Sequence, residues 1–175
     1  MHPISNKPMI GHIVSSLKKA GVENIVVVVG HGAESVKDYL GESVQYALQE
    51  PQLGTGHAVM QAQSLKDVDG DTLILCGDGP CIQSETIEAA FAANKNSEMT
   101  VLTALLPNGE HYGRIVRGDD GSVEKIVEAK DCTKEQLEIK EINTGIFCFK
   151  NKLLFENLKE IGNENVQNEY YLTDL

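Results

Sequence analysis

The sequence predicts an α/β fold: a mixed, mainly parallel sheet, doubly wound with helices on both faces. Three observations predict it. The runs "NIVVVVG" and "DTLILCG" are continuously apolar, the texture of strands buried on both faces. Helix-like and strand-like stretches alternate from Lys7 to Leu106, the pattern of a sheet wound by crossover helices. No linker, internal repeat or low-complexity stretch interrupts the 175 residues, which predicts one domain over 1–175.

Each element has its own signal. "KPMIGHIVSSLKKAG" spaces Ile10, Ile13, Val14 and Leu17 as a helix does, with lysines and Gly21 at its end. "NIVVVVG" is the first strand of the alternation, "AESVKDYLG" a short helix and "SVQYAL" the next strand. "HAVMQAQSL" reads as a helix entered through the Gly54-Thr55-Gly56 loop, and "DTLILCGDGP" as a strand halted by a glycine turn. "SETIEAAFAANK" is helical with Ser84 as the expected N-cap, and "EMTVLTALL" is a strand. From Tyr112 the texture changes. "GRIVRGDDGSVEKIVEAKD" predicts a hairpin around Gly-Asp-Asp-Gly, "INTGIFCFK" a strand, and "NKLLFENLKEI" a helix.

Charge and cysteine usage exclude several function classes. A formal net charge of −11 opposes binding to nucleic-acid phosphates and to anionic membranes. Cys76, Cys81, Cys132 and Cys148 have no C-x-x-C spacing, so free thiols in a cytoplasmic protein are expected. No apolar stretch nears the roughly 20 residues that span a bilayer, and no secretory signal core stands at the start. His31, His57 and His111 lack metal-ligand spacing and read as surface or turn residues.

Asp78 ends a buried strand, where ligands of open α/β sheets bind, and a carboxylate there can hold Mg²⁺. It can equally make a turn with its own backbone. Gly54 and Gly56 either shape a loop entering a helix or bare the backbone to a flat or anionic ligand. Gly30 and Gly32 match two glycines of G-x-G-x-x-G, but Ser35 stands at the third, so an ordinary strand-to-helix turn is expected. Glu128 and Asn143 are polar residues in apolar strands, facing either a sugar pocket or solvent. Lys130 shares the face of Glu128 if that strand is regular, and could meet a phosphate.

Seven stretches in one order, "HPISNKPMIGHIV", "QLGTGHAV", "GDGP", "YGRIVR", "IVEAKD", "EINTGIF" and "NEYYLTDL", resemble the pyrophosphorylase region of bacterial N-acetylglucosamine-1-phosphate uridyltransferases. The resemblance covers essentially the whole chain and implies a Rossmann-like nucleotide-diphospho-sugar transferase fold. It implies uridylyl transfer from UTP to N-acetylglucosamine 1-phosphate, giving UDP-N-acetylglucosamine and pyrophosphate. Carried over, Gln49 reads the uracil edge while the backbone at Gly54 and Thr55 closes on the base. Asp78, beside Cys76 and Gly77 in the substrate position, binds Mg²⁺ near the ribose and phosphates. Gly113, Glu128 and Asn143 hold the amino sugar, with Glu169, Tyr171 and Thr173 lining its pocket.

The departures raise expectations of their own. The family's opening strand, glycine-rich loop and phosphate-contacting lysine precede "HPI", and its second Mg²⁺ ligand follows "YYLTD". An incomplete domain with impaired turnover is therefore expected, without the acetyltransferase β-helix. Cys76 stands where the family usually has tyrosine, and Gly79 where it has valine. A non-catalytic UDP-sugar-binding module and a transferase for another sugar 1-phosphate are the competing readings. In a Rossmann-type order the first strand is central, so "NIVVVVG" and "DTLILCG" are expected to flank a gap. Direct pairing across it, homo-oligomerisation through the exposed edges, or marginal stability should follow.

Overall fold

The computed structural model describes residues 2–175. It opens on a small antiparallel hairpin, β1 (Pro3–Ile4) and β2 (Lys7–Pro8). Ser5 and Asn6 both take positive φ, 49° and 64°, as a two-residue turn of type I′ requires. Strands of two residues carry no periodicity, which is why this hairpin is invisible in the sequence.

The alternation follows as expected. Helix α1 (Met9–Lys19) buries Ile13, Val14 and Leu17 and ends on Lys18 and Lys19, where positive charge suits the helix dipole. Strand β3 (Val26–Val29), helix α2 (Ala33–Leu40) and strand β4 (Gln45–Leu48) form one crossover unit, with β3 and β4 parallel from Val26↔Gln45 to Val29↔Leu48. Helix α3 (Thr55–Met60) is shorter than its sequence pattern and is followed by a 3₁₀ turn at Gln63–Leu65. Next come β5 (Asp71–Ile74), α4 (Ser84–Asn94) and β6 (Met99–Leu105). Ser84 is not the N-cap of α4: Gln83 holds that position, and the Ser84 hydroxyl donates to Glu85 Oε2 at 3.1 Å.

The hairpin of β7 (Arg114–Arg117) and β8 (Val123–Val127) forms as predicted, antiparallel with a bulge after Val116. A four-residue helix, α5 (Lys134–Leu137), comes next. Thr133 caps it reciprocally: its hydroxyl accepts from the Gln136 N–H and the Gln136 side chain accepts from the Thr133 N–H. That Thr-x-x-Gln box is a legible start signal. The long strand β9 (Glu141–Lys150) leads into α6 (Asn151–Asn157), and the chain closes on a 3₁₀ turn at Leu172–Asp174.

The ladders are less parallel than the apolar runs suggest. Only β3 and β4 pair in parallel; β5, β6 and β7 all pair antiparallel with β9. The physical reason is the insertion of β9. Its Phe147–Phe149 segment is paired by β6 on one edge and by β5 on the other. Further along, β9 meets β7 at Arg114↔Ile142. Two strands therefore diverge along β9, and residues 143–146 lie at the fork.

Apolar side chains alternate between two layers. Val27, Leu73 and Leu75 pack with Ile13, Val14 and Ile87 under α1 and α4. Val26 and Ile74 pack with Phe147, Phe149, Leu154 and Phe155 under α6. Helices thus cover both faces. Asn151, 2% exposed, pins the second layer: its Nδ2 donates to the carbonyls of Leu65 and Val68 at 2.6 and 2.7 Å, and its Oδ1 accepts from Thr72.

The expected gap is present. Strand β3 has β4 as its ladder partner and β5 has β9, and no ladder joins β3 to β5 among the described residues. A cavity of about 1240 Å³ is lined by Val26–Val28 on one side and Leu73–Leu75 on the other. Direct pairing across the gap does not occur.

Candidate functional site

The cavity runs out of this gap to the fork in the sheet, and there the polar residues gather. The fork is built by a bulge in β9. Pairing with β6 steps from Leu102↔Ile146 to Thr103↔Asn143, leaving Thr144 and Gly145 without a cross-strand partner. Gly145 takes φ +76°, a backbone conformation that favours glycine, and a Cβ there would also stand 3.0 Å from Cys76 Sγ. Asn143 Oδ1 accepts the Gly145 N–H at 2.9 Å and the Asn143 N–H donates to the Gly113 carbonyl at 2.9 Å. Its Nδ2 keeps no intramolecular acceptor among the described residues.

Glu128 stands just past β8, across from Gly113. A Cβ on Gly113 would lie 3.5 Å from Glu128 Oε2, so the missing side chain keeps this corner open. The Thr173 hydroxyl donates to Glu128 Oε1 at 3.0 Å. Burial pushes the Glu128 carboxyl above its ordinary range; Thr173 opposes this and the nearby Asp131 and Asp174 add to it. Tyr171, 7% exposed, sits beneath the same corner with no hydrogen-bond partner for its hydroxyl among the described residues. Burial, then the charges of Asp131, Glu128 and Glu169, push that hydroxyl up to about 12.

Asp78 lies in the turn after β5. That turn is closed by the Gly79 N–H on the Cys76 carbonyl at 3.4 Å, not by the Asp78 side chain. The carboxylate is exposed and without a hydrogen-bond partner among the described residues. Cys76 Sγ meets the Gly145 carbonyl at 3.8 Å. Partial burial against the bulge, then the Asp78 and Glu128 carboxylates, push its thiol up. No described group of three histidines, cysteines or carboxylates is placed to hold a metal alone.

Gln49 follows β4 and continues its ladder, donating to the Val29 carbonyl at 2.8 Å. Its Nε2 donates to the Gly54 carbonyl at 3.0 Å and lies 3.2 Å from His57 Nδ1. The donor end of the amide is therefore spent internally, and Oε1 is the end left for a ligand.

Nine of the residues singled out in the sequence line the cavity: Gln49 and Thr55 at the β4 end, Cys76, Gly77 and Asp78 after β5, and Gly113, Glu128, Asn143 and Thr173 at the fork. Four do not. Gly54 is covered by the C-terminal segment, as the Gly56 N–H donates to the Tyr170 carbonyl at 2.8 Å and the Tyr170 N–H to the Leu53 carbonyl at 2.8 Å. The Thr55 hydroxyl likewise accepts from the Leu172 N–H. These glycines make room for protein backbone. Tyr171 packs below the wall. Lys130 does not share the face of Glu128, because β8 ends at Val127 and the chain turns, with the Asp131 N–H on the Glu128 carbonyl at 2.9 Å. Its ammonium donates to Gln167 Oε1 instead, and Gln167 Nε2 donates to Glu169 Oε2. His111 and Tyr112 line the cavity and were not anticipated; their place directly before Gly113 was the available signal.

The family model described as nucleotidyl transferase matches residues 1–175. The chain belongs to the nucleotidyl transferase family. This nucleotidyl transferase is 54% identical over 178 residues to the bifunctional protein GlmU of Exiguobacterium sibiricum, a match covering 100% of the chain and 40% of that protein. It is 51% identical to the bifunctional protein GlmU of Geobacillus thermodenitrificans, covering 100% of the chain and 39% of that protein. The chain thus spans about 40% of the length of these curated relatives. A solved structure of UDP-glucose pyrophosphorylase complexed with UDP-glucose matches with a TM-score of 0.81 at 21% identity, over 99% of this chain and 75% of that one. That likeness shows the fold, a Rossmann-like nucleotidyltransferase architecture as the sequence predicts. Among the described residues no helix is long and apolar enough to cross a membrane.

Proposed function

We propose that this chain acts as one uridylyltransferase unit, moving UMP from UTP to N-acetylglucosamine 1-phosphate. The observation that carries the reading is the meeting of Gln49, Asp78, Gly113, Glu128 and Asn143 on one cavity, in a chain 54% identical to a bifunctional protein GlmU. Gln49 Oε1 accepts the imide N–H of uracil, a donor that cytosine lacks. Thr55 sits on the same wall. At the fork, Asn143 Nδ2 donates to the sugar while the Glu128 carboxylate accepts from its hydroxyls. Thr173 positions Glu128.

The sugar phosphate oxygen attacks the α-phosphorus of UTP in line. A phosphorus–oxygen bond forms to the sugar phosphate, the bond to the β-phosphate breaks, and its electron pair leaves on pyrophosphate. Such transfer depends on positioning and charge neutralisation more than on a protein nucleophile. A lone exposed carboxylate fits Mg²⁺ only in part, because the ion takes one or two protein oxygens and completes its shell with phosphates and water. Asp78 is the residue that would hold it, and the ion would neutralise charge on the phosphates. Lys130, whose ammonium donates to Gln167 Oε1, would have to leave that partner to meet a phosphate. Thr55 would border the base, while Gly54 is covered by the Tyr170 backbone.

Four free thiols suit a reducing compartment and support a cytoplasmic setting. The open edges of β3 and β5 support self-association through strand pairing. Pyrophosphate release from UTP, N-acetylglucosamine 1-phosphate and Mg²⁺ tests the proposal. Release that disappears when glucose 1-phosphate replaces the amino sugar is expected. Binding of UDP-N-acetylglucosamine without any release would turn the reading to a UDP-sugar-binding module.

A further inference from the structure

Arg114 is the largest fully buried side chain, 2% exposed, and no carboxylate pairs with it among the described residues. A buried cation without a counter-ion is costly unless its donors are well used. Here backbone carbonyls take four of its five N–H groups, and the buried Nε has no partner among the described residues. Nη1 donates to the carbonyls of Gly109, at 3.2 Å, and Tyr112. Nη2 donates to those of Glu110 and Leu137, each at 3.4 Å. Three of the four acceptors lie on the strap 109–112 that leads into Gly113; the fourth ties that strap to the end of α5. The guanidinium also lies flat against Gly109, where a Cβ would stand 2.4 Å from Cζ.

The peptide geometry gives this a consequence. In a trans peptide the carbonyl of one residue and the N–H of the next point in opposite directions. The Tyr112 carbonyl is turned inward to Arg114, so the Gly113 N–H is turned away from it. Among the described residues that N–H has no acceptor, and Gly113 lines the cavity opposite Glu128. An unmet backbone donor at a cavity wall is a ligand contact in waiting.

We propose that Arg114 is a positioning residue for the sugar half of the site: its buried guanidinium sets the Tyr112–Gly113 peptide so that the Gly113 N–H donates to an acceptor oxygen on the sugar. This rests on the uridylyltransferase reading. Arg114 touches no substrate itself. Its effect is confined to the strap, so the uracil end, built on Gln49 after β4, is independent of it.

The test compares UDP with UDP-N-acetylglucosamine by calorimetric titration of the unmodified chain, Arg114→Lys and Gly109→Ala. Lysine cannot hold four carbonyls, and the alanine methyl displaces the guanidinium without removing it. Both variants should weaken UDP-N-acetylglucosamine by about tenfold or more, the worth of a well-made hydrogen bond to a ligand, while UDP holds within about twofold. A purely structural role would weaken the two ligands alike, and equal losses overturn the proposal. Should the variants unfold, the unmodified chain decides by nuclear magnetic resonance. The Gly113 amide signal should move on adding N-acetylglucosamine 1-phosphate and stay in place on adding UMP. An unmoved Gly113 signal with bound sugar phosphate overturns the Arg114 proposal alone. Failure of the unmodified chain to bind either UDP ligand overturns the functional reading and this inference with it.

Discussion

The Tyr170 carbonyl oxygen lies 2.7 Å from where a Cβ on Gly54 would stand, and Gly54 itself takes φ +106°. Two independent demands thus fall on one residue, a left-handed backbone and room for another strand of chain. Gly54→Ala should destabilise the protein by about 1–3 kcal/mol from the backbone conformation alone, with the clash adding to it. Urea unfolding of the two proteins checks this. A loss under about 0.5 kcal/mol, the range of a neutral surface change, would show that segment 170–172 does not pack there.

Glu128 makes a pH prediction. Its carboxyl is raised above the ordinary 4.5 by burial, so the folded protein keeps a proton that the unfolded chain releases. Stability from this group therefore falls as pH rises from 4.5 through the folded value, and returns as pH drops. Glu128→Gln removes the buried charge and retains an acceptor for Thr173. Its melting temperature should exceed that of the unmodified chain most at neutral pH, with the advantage fading toward pH 4.5. The exposed carboxylates whose values are lowered, such as Asp120 and Glu135, are common to both proteins and cancel. A constant difference across the range would contradict the burial of Glu128.

The gap between β3 and β5 makes a third. Each strand offers an unpaired row of backbone groups to a cavity walled by Val26–Val28 and Leu73–Leu75. Sedimentation velocity should show association that grows with concentration, and amide exchange at Val28 and Leu73, whose N–H groups face the gap, should slow in step. A monomer at every concentration whose β3 and β5 amides are already slow would show that these edges are closed some other way.

Much of this molecule was legible because its signals are local. Val26–Val29 and Asp71–Ile74 announce themselves as buried strands, and Asp78 follows from its place beyond one of them. What stayed hidden depends on residues far apart in sequence. The insertion of β9 between β5 and β6 leaves no mark in the composition of any strand, yet it makes the sheet largely antiparallel and opens the fork at Asn143. The purpose of Gly54 and Gly56 was hidden for the same reason, since Tyr170 is remote in the chain. Lys130 leaves the face of Glu128 because the two-residue period holds only as far as Val127, where the strand stops. Arg114 looks like any strand-end arginine until its four carbonyl partners are seen.

The most direct measurement is a calorimetric titration of the unmodified chain and Gln49→Ala with UDP and with ADP. Gln49 Nε2 is held by Gly54 and His57, which leaves Oε1 as the acceptor that the proposed function assigns to uracil. UDP should bind the unmodified chain more tightly than ADP, and Gln49→Ala should weaken UDP by about 1–3 kcal/mol while leaving ADP unchanged. Equal affinity of the unmodified chain for UDP and ADP would contradict the account.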